Sequence, residues 1–416
     1  MGFYTYIIST FLGASLFIAP FILLYLIYYS FVYKPVIKYS ITFLSVPLIS
    51  IIGGITCAHV YHLSWEVITI GSLFLFVMYP FIVTRYFIVT RYFEKQLLDI
   101  TYTMLAFFIA GCLILSLHKT TYELFKGLCY QDAITIRGNI SDIQEDTTEL
   151  RHKRMHSLIV KIEYIAHATI QSPLFIPYYV TLYTRAIENF QRADTLFFSF
   201  KKKQESTHLK KKGTTFDFYL MRNKTLFTLF SNEYQLHSHI RPNWSIRRSI
   251  AEIRRGICSR LAGKMKRATY EYFVSIFLGY KQMPLLEQDK HLFNIWGISH
   301  YLARSGLHIT MFVWLWHLFL RSIPVRLEIK HCITLILCFL YYLLSWSSIS
   351  FIRSLSTFLL YQIGLLLRSP VHFFHLLSLV CIITLAFNPF HLFFLDFQLS
   401  FGLTFALYIF CARHPL

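Results

Sequence analysis

The chain has 416 residues, of which 55% are hydrophobic and only 15% charged, with 41 phenylalanines. Soluble domains are a little under half apolar and about a quarter charged, so this balance excludes an ordinary soluble protein and indicates a membrane protein. Forty Lys and Arg against 21 Asp and Glu give a formal charge of +19, an excess that suits phosphate or anionic lipid and in part sets membrane topology.

Met1 to Ser30 lacks a basic leader region and stays apolar beyond the length of a signal peptide, so it reads as a first span. Spans are also expected over 40–58, 66–83 and 100–117, since a helix needs about 20 mostly apolar residues to cross a bilayer. Together these make an amino-terminal membrane domain over 1–118. FIVTRY occurs twice, at 81–86 and 87–92, and is too short for a repeat unit. Lys34 and Lys38 lie in the first loop and Arg85, Arg91 and Lys95 in the third, whereas the second, 59–65, has neither Lys nor Arg. The first and third loops are therefore cytoplasmic, and whatever follows Leu117 begins outside.

From 130 to 242 the chain turns polar and strand-rich. ITIRGNISDI, SLIVKIEYI, TLFFSF, FDFYL and TLFTLF are β-branched and aromatic, separated by polar connectors, and predict a small β-barrel or sandwich. Within it, KKKQESTHLKKK places Lys201, Lys202, Lys203, Lys210, Lys211 and Lys212 about a turn. That run is either a solvated loop or one wall of a positive groove. Phe197, Phe198, Phe200, Phe216, Phe218 and Tyr219 are either core or stacking platforms. None of the eight cysteines forms a metal spacing. Only Cys129 and Cys258 fall in polar regions, where a disulfide would need an exported location.

Residues 243–284 predict amphipathic helices. Ser245 is a suitable N-cap, and Ile246, Ile250, Ile253, Ile257, Leu261 and Met265 recur at steps of three and four. Arg247, Arg248, Arg254, Arg255, Arg260, Lys264, Lys266 and Arg267 fill much of the remaining surface. Such a helix lies flat on anionic lipid or meets nucleic acid. A second stripe, Tyr270, Phe273, Val274, Phe277 and Leu278, stops at Gly279.

Residues 285–416 make a second membrane domain. Its first span, Trp296 to Leu320, carries charge: His300, Arg304 and His308 follow at i, i+4 and i+8 and share one helical stripe. Ser299, Ala303, Gly306 and Thr310 make a stripe of small residues beside it, and Ser305 is explained the same way. Ionisable groups at that depth usually face a wet cavity, a partner or a substrate path. Arg321, Arg326 and Lys330 put the next loop inside. Spans over 332–346, 351–367, 371–387 and 393–412 then alternate, so about nine spans satisfy one orientation.

Several stretches look like the ComEC family, inner-membrane proteins that pass DNA into naturally competent bacteria. GISHYLARSGLHI at 297–309 resembles the family's GLSHLLAVSGLHV-like signature. SISFIRSLS resembles its SPSVLRA stretch, with Arg353 on the arginine. NPFHLFFLDFQLSF resembles its NP and GFQLSF, with Asn388, Pro389, Gln398, Leu399 and Ser400 in register. IRRGICSRL followed by FVSIFLGYKQMP resembles the segment ahead of the signature. Gly138 and the FDFYL segment resemble the OB-fold-like module the family inserts after its first helices. The resemblance implies a polytopic α-helical membrane protein with an inserted extracytoplasmic OB-like β domain, in the inner (plasma) membrane, passing a single DNA strand to the cytoplasm.

On that reading Ser299, His300, Arg304, Ser305, Gly306, His308, Arg353, Asp396, Gln398 and Ser400 line the path. The six loop lysines, with Arg247, Arg248, Arg254 and Arg255, contact DNA outside. Partners would be single-stranded DNA, membrane lipids, a DNA receptor, a cytoplasmic ATPase or helicase, and further copies of the chain. Two residues depart from the family pattern: Arg304 replaces an apolar residue and Asp396 a glycine. They are expected to pair within the membrane, since an isolated buried charge is costlier than a paired one. Many ComEC relatives continue into a metallo-β-lactamase-like nuclease domain, whereas this chain ends at Leu416. His237 and His239 are followed by Ile240, Arg241 and Pro242 where an HxHxDH metal site needs Asp and His. Neither an enzyme nor a metal or other cofactor is therefore expected. A transporter for another anionic polymer or a lipid-linked precursor, or a shortened membrane scaffold, are the alternatives.

Overall fold

The computed structural model describes residues 42–61, 68, 92–129, 134–145, 156–166, 171–173, 177–184, 190–200, 215–242, 245–279, 292, 295–296, 306–345, 348–368 and 372–413. These divide into two units, Met1–Thr121 with Leu320–Leu335 and Ile352–Leu416, and Tyr122–Phe319 with Ile336–Phe351.

Apolar helices dominate the first unit. Helix α1 (Thr42–Val60) meets α2 (Tyr92–Cys129) through glycines. A Cβ on Gly54 would lie 2.0 Å from the Phe108 carbonyl oxygen, and one on Gly111 would lie 2.4 Å from that of Ile51. Only glycine permits this approach, which is how helices pack where lipid supplies no hydrophobic drive. The Cys112 thiol adds a hydrogen bond to the Gly54 carbonyl at 3.1 Å. Helix α2, at 38 residues, is far longer than the span expected at 100–117.

Three described segments are long and apolar enough to cross a membrane: Leu105–Gly127, Leu327–Leu344 and Ile349–Leu366. Shorter apolar helices cover Pro47–Val60, Met311–Leu320, Phe373–Phe387 and Leu395–Cys411. The expected first span, and nearly all of the third, lie outside the described residues.

The second unit holds a seven-stranded curled sheet. Its strands are β1 (Ile134–Glu145), β2 (His156–Ala166), β3 (Gln171–Pro173), β4 (Tyr179–Thr184), β5 (Thr195–Phe200), β6 (Thr225–Phe230) and β7 (Tyr234–Ile240). They run in the order β6-β4-β2-β1-β5-β7, with β3 beside β2. All pairings are antiparallel except β4 with β6, which is parallel. Consequently β6 and β7, at opposite ends of the path, run in the same direction and are joined only by 231–233. The Phe200 and Phe227 rings, 4.7 Å apart, bridge β5 to β6.

Alternate residues of β4 and β5 are buried, and Ile136, Ile140, Leu158, Val160, Ile162, Val180, Leu182, Leu196 and Phe198 fill the interior. Strand β1 can serve both β2 and β5 because its register shifts at Arg137/Gly138 and again at Ile140/Asp142. At Gly138 a Cβ would stand 2.6 Å from Val160 Cγ1 and 2.7 Å from the Lys161 carbonyl oxygen. The end of α2 closes this core: Tyr122 is buried, and its hydroxyl donates to the Thr225 carbonyl at 2.8 Å.

FDFYL, expected as a strand, belongs instead to helix α3 (Thr215–Arg222). The adjacent Leu220 and Met221 both pack on the core, which a strand's two-residue alternation does not allow, while Asp217 and Tyr219 are exposed. Asp217 suits the first turn of a helix and pairs with Lys126 at 3.7 Å.

Candidate functional site

Beyond the sheet come α4 (Ile246–Ala262) and α5 (Arg267–Phe273), the latter ending in a π turn at Val274–Leu278. Gly279 takes φ 77° to stop it, as the stripe ahead of it predicts. Helices α6 (Gly306–Arg321), α7 (Leu327–Leu344), α8 (Ile349–Leu366), α9 (Phe373–Phe387) and α10 (Leu395–Arg413) follow.

The signature's Ser299, His300, Arg304 and Ser305 lie outside the described residues, as does the loop with Lys201, Lys202, Lys203, Lys210, Lys211 and Lys212. Gly306 opens α6 and His308 falls in its first turn.

The two later motifs meet. Asn388 ends α9, accepts a hydrogen bond from the Phe390 N–H at 3.2 Å, and precedes Pro389 at the start of a 3-10 turn over Pro389–Phe393. An N-capping side chain followed by proline is a local instruction to stop one helix and start another. The Gln398 amide ties the elbow to α10 by donating to the Leu392 carbonyl at 2.9 Å. One half-turn on, the Ser400 carbonyl accepts from Arg353 Nη1 at 2.8 Å. The same Nη1 donates to the Thr404 hydroxyl, Nη2 reaches the Ser354 hydroxyl at 3.2 Å, and Cζ lies 5.9 Å from the Phe401 ring centroid. Arg353 thus fastens α8 to α10. Asp396 sits exposed in the first turn of α10, where a carboxylate suits the helix dipole and accepts from the Phe397 N–H at 3.0 Å. Its expected partner Arg304 is outside the described residues.

A polar stripe that the sequence reading missed lies on α7. His331, Thr334 and Cys338 recur at i, i+3 and i+7 and are buried, while Ile329, Ile336, Phe339 and Leu340 are exposed. His331 Nδ1 donates to Gln362 Oε1 of α8 at 2.5 Å. The helix therefore turns Ile329, Ile336, Phe339 and Leu340 outward and His331 inward, where an intramembrane polar group finds a partner on a neighbouring helix. The three-and-four spacing of His331, Thr334 and Cys338 was the available signal.

The cations of α4 divide. Arg248 donates to Asp194 Oδ1 at 2.8 Å and to the Pro242 carbonyl at 3.0 Å. Arg254 donates to the carbonyls of Leu343 and Ser345 at 2.7 and 3.3 Å, capping the end of α7 where a positive group belongs. Burial, then neighbouring Arg192, pulls its pKa below the ordinary guanidinium value. Both were read from sequence as phosphate-facing; their guanidinium groups are turned to protein acceptors instead, because Asp194 and the end of α7 are distant in sequence and close in space. Arg255 and Arg260 of α4 are exposed, as are Lys264, Lys266 and Arg267 just beyond it; Arg247 lies on α4 with its side chain outside the described residues. Cys258 is a free thiol whose pKa burial raises.

Asp194 is fully buried. It also accepts from His239 Nε2 at 2.7 Å and the Gln191 N–H at 2.8 Å. The other half of the HxH pair, His237, bonds Ser199 Oγ at 2.6 Å. Of the aromatic candidates, Phe198 and Phe200 are core, whereas Phe197 is half-buried beneath Arg137, whose Cζ is 5.3 Å from its ring centroid. Phe218 and Tyr219 lie on α3; the side chain of Phe216 is outside the described residues.

Residues 276–415 match the family model described as Competence protein. No curated protein and no solved structure matches the chain. The match takes in the last five helices, the Arg353 motif and the NP elbow, so this carboxyl-terminal third of the chain is similar to the Competence protein domain.

Proposed function

We propose that this protein is the membrane conduit through which a single DNA strand enters the cytoplasm during natural transformation. It is a multi-pass protein of the inner membrane, of about nine spans, with the sheet on the outer side. The observation that carries the reading is the meeting of two motifs within a competence-type domain: a guanidinium on α8 is held against Ser400 of α10 rather than projected to lipid. The inward polar stripe of α7 supports it, since a strand crossing the membrane needs polar surface along its way.

The sheet is an OB-like barrel on this reading. If β6 and β7 are two segments of one bent strand, its order is first, second, third, fifth and fourth, with a parallel third-to-fifth pairing, as in that fold. Its outer face would receive the strand by stacking and by cations such as Arg137, together with the lysine loop and the exposed cations of α4. Its partners would be a DNA receptor and a cytoplasmic ATPase or helicase. The chain would act as a channel and not as a nuclease.

The purified chain should bind single-stranded oligonucleotide with an affinity that falls steeply between low and physiological salt, through counterion release. Affinity unchanged by salt, or by removing the 201–212 loop together with the exposed cations of α4, contradicts the capture step.

A further inference from the structure

Helix α7 carries an exposed aromatic ring on its protein-facing stripe. Tyr342 follows Cys338 at i+4 and Thr334 at i+8, and stands about three turns beyond His331. By helical phase it belongs with those three residues and not with Ile336, Phe339 and Leu340. Yet His331, Thr334 and Cys338 are buried, whereas Tyr342 is 41% exposed. The stripe therefore opens in the last turn of the helix.

The ring is held from behind. It lies parallel to Phe351 of α8, with planes 6° apart and centroids separated by 6.4 Å. Phe351 is fully buried and meets Tyr341 in a T-shaped contact at 5.6 Å. The Tyr341 hydroxyl donates to the Phe277 carbonyl at 2.6 Å, and Phe312 and Trp316 of α6 pack against the Tyr341 ring. One face of Tyr342 is thus turned to a fixed aromatic wall, and its exposed area lies on the opposite face and the rim.

Height along the helix matters as much as orientation. Arg321, Arg326 and Lys330 put the start of α7 inside, so Tyr342, two residues before the helix ends, lies at the outer mouth. Arg254, bonded to the Leu343 and Ser345 carbonyls, brings the basic helix α4 to the same place. A fixed aromatic face takes a flat π surface, and every base offers one whatever the sequence. A tyrosine serving the lipid interface would instead share the side of Phe339 and Leu340.

We propose that Tyr342, backed by Phe351, is a base-stacking platform at the outer mouth of the conduit, on which unpaired bases of the entering strand rest in turn. The proposal rests on the conduit reading and adds to it a contact with bases. It also selects for single strands, whose bases have free faces, over a duplex, whose faces are stacked on one another.

The test uses the full chain in phosphatidylcholine nanodiscs with a single-stranded oligonucleotide carrying iododeoxyuridine, which couples to a stacked aromatic ring under near-ultraviolet light. Mass spectrometry should find an adduct on the peptide that contains Tyr342. Adducts confined to the sheet domain overturn the platform. In cells, Tyr342→Leu should lower internalised DNA about 10-fold, the scale of one lost base–aromatic stack, while the surface-bound pool remains. Tyr342→Phe, which keeps the ring, should restore uptake. Wild-type uptake by an accumulated Tyr342→Leu protein overturns the platform alone; failure of the wild type itself to internalise DNA overturns the conduit reading. Should the leucine variant not accumulate, the adduct on the wild-type chain decides. A photoactivatable phospholipid that labels the Tyr342 peptide equally with and without oligonucleotide assigns the ring to lipid and overturns the proposal.

Discussion

Asp194 in the sheet domain and Arg353 in the helical domain are both charges taken out of water, and they are treated in opposite ways. Asp194 is saturated: Arg248, His239 and a backbone N–H all donate to it. Arg353 is held firmly at one corner and left open along an edge. The first pattern is that of a structural joint, fixing α4 to the start of β5 and the end of β7. The second leaves a buried Nε without a partner, as Arg248 and Arg254 also do. Burial of charge is thus not by itself a mark of function; the two sites differ in how much of their hydrogen-bonding capacity is used.

The contrast breaks most visibly at Asp194. Asp194→Ala leaves Arg248 and His239 without their shared acceptor, and losing one partner of a buried pair costs about 3–5 kcal/mol. A thermal melt of the full chain should therefore show early unfolding, whereas Arg353→Lys should melt near the wild type. Next in size is Gly138→Ala, whose methyl group would press on Val160 and the Lys161 carbonyl. It should cost about 1–3 kcal/mol in a denaturant titration. Tyr122→Phe deletes the hydrogen bond from α2 to Thr225 and should cost about 1 kcal/mol by the same titration.

The smallest effect has the opposite sign. Lys224 sits at φ 53°, in the left-handed region, and burial lowers its pKa. Between that lowered folded value and the ordinary lysine value the unfolded chain binds more protons, so the stability contribution of Lys224 rises with pH across that window. Lys224→Gly should stabilise by about 0.5–1 kcal/mol and flatten that rise, measured by melts across alkaline pH.

Much of this was readable in the sequence, and the rest failed for identifiable reasons. TLFFSF alternates and forms β5 as it reads. FDFYL has the same composition, yet the turn at 223–224 and the docking of Leu220 and Met221 make it a helix. Strand β7 was missed because Gln235, His237 and Ser238 give it little apolar alternation, its partner β5 supplying the pairing instead. Arg353 and the FQLS segment stood out only through resemblance to a family, since a lone arginine in an apolar run says nothing of its acceptor 47 residues away. Arg248 misled for the same reason, its acceptor Asp194 being 54 residues off. Composition shows a charge, and only tertiary structure shows whether it is spent.

The conduit claim itself is tested most directly by following labelled DNA in a strain from which this chain has been deleted and then restored. With the chain present, label should move from a nuclease-sensitive surface pool to a nuclease-protected internal one; without it, DNA should bind at the surface and remain sensitive. Protected DNA accumulating at the same rate in the deleted strain would contradict the account.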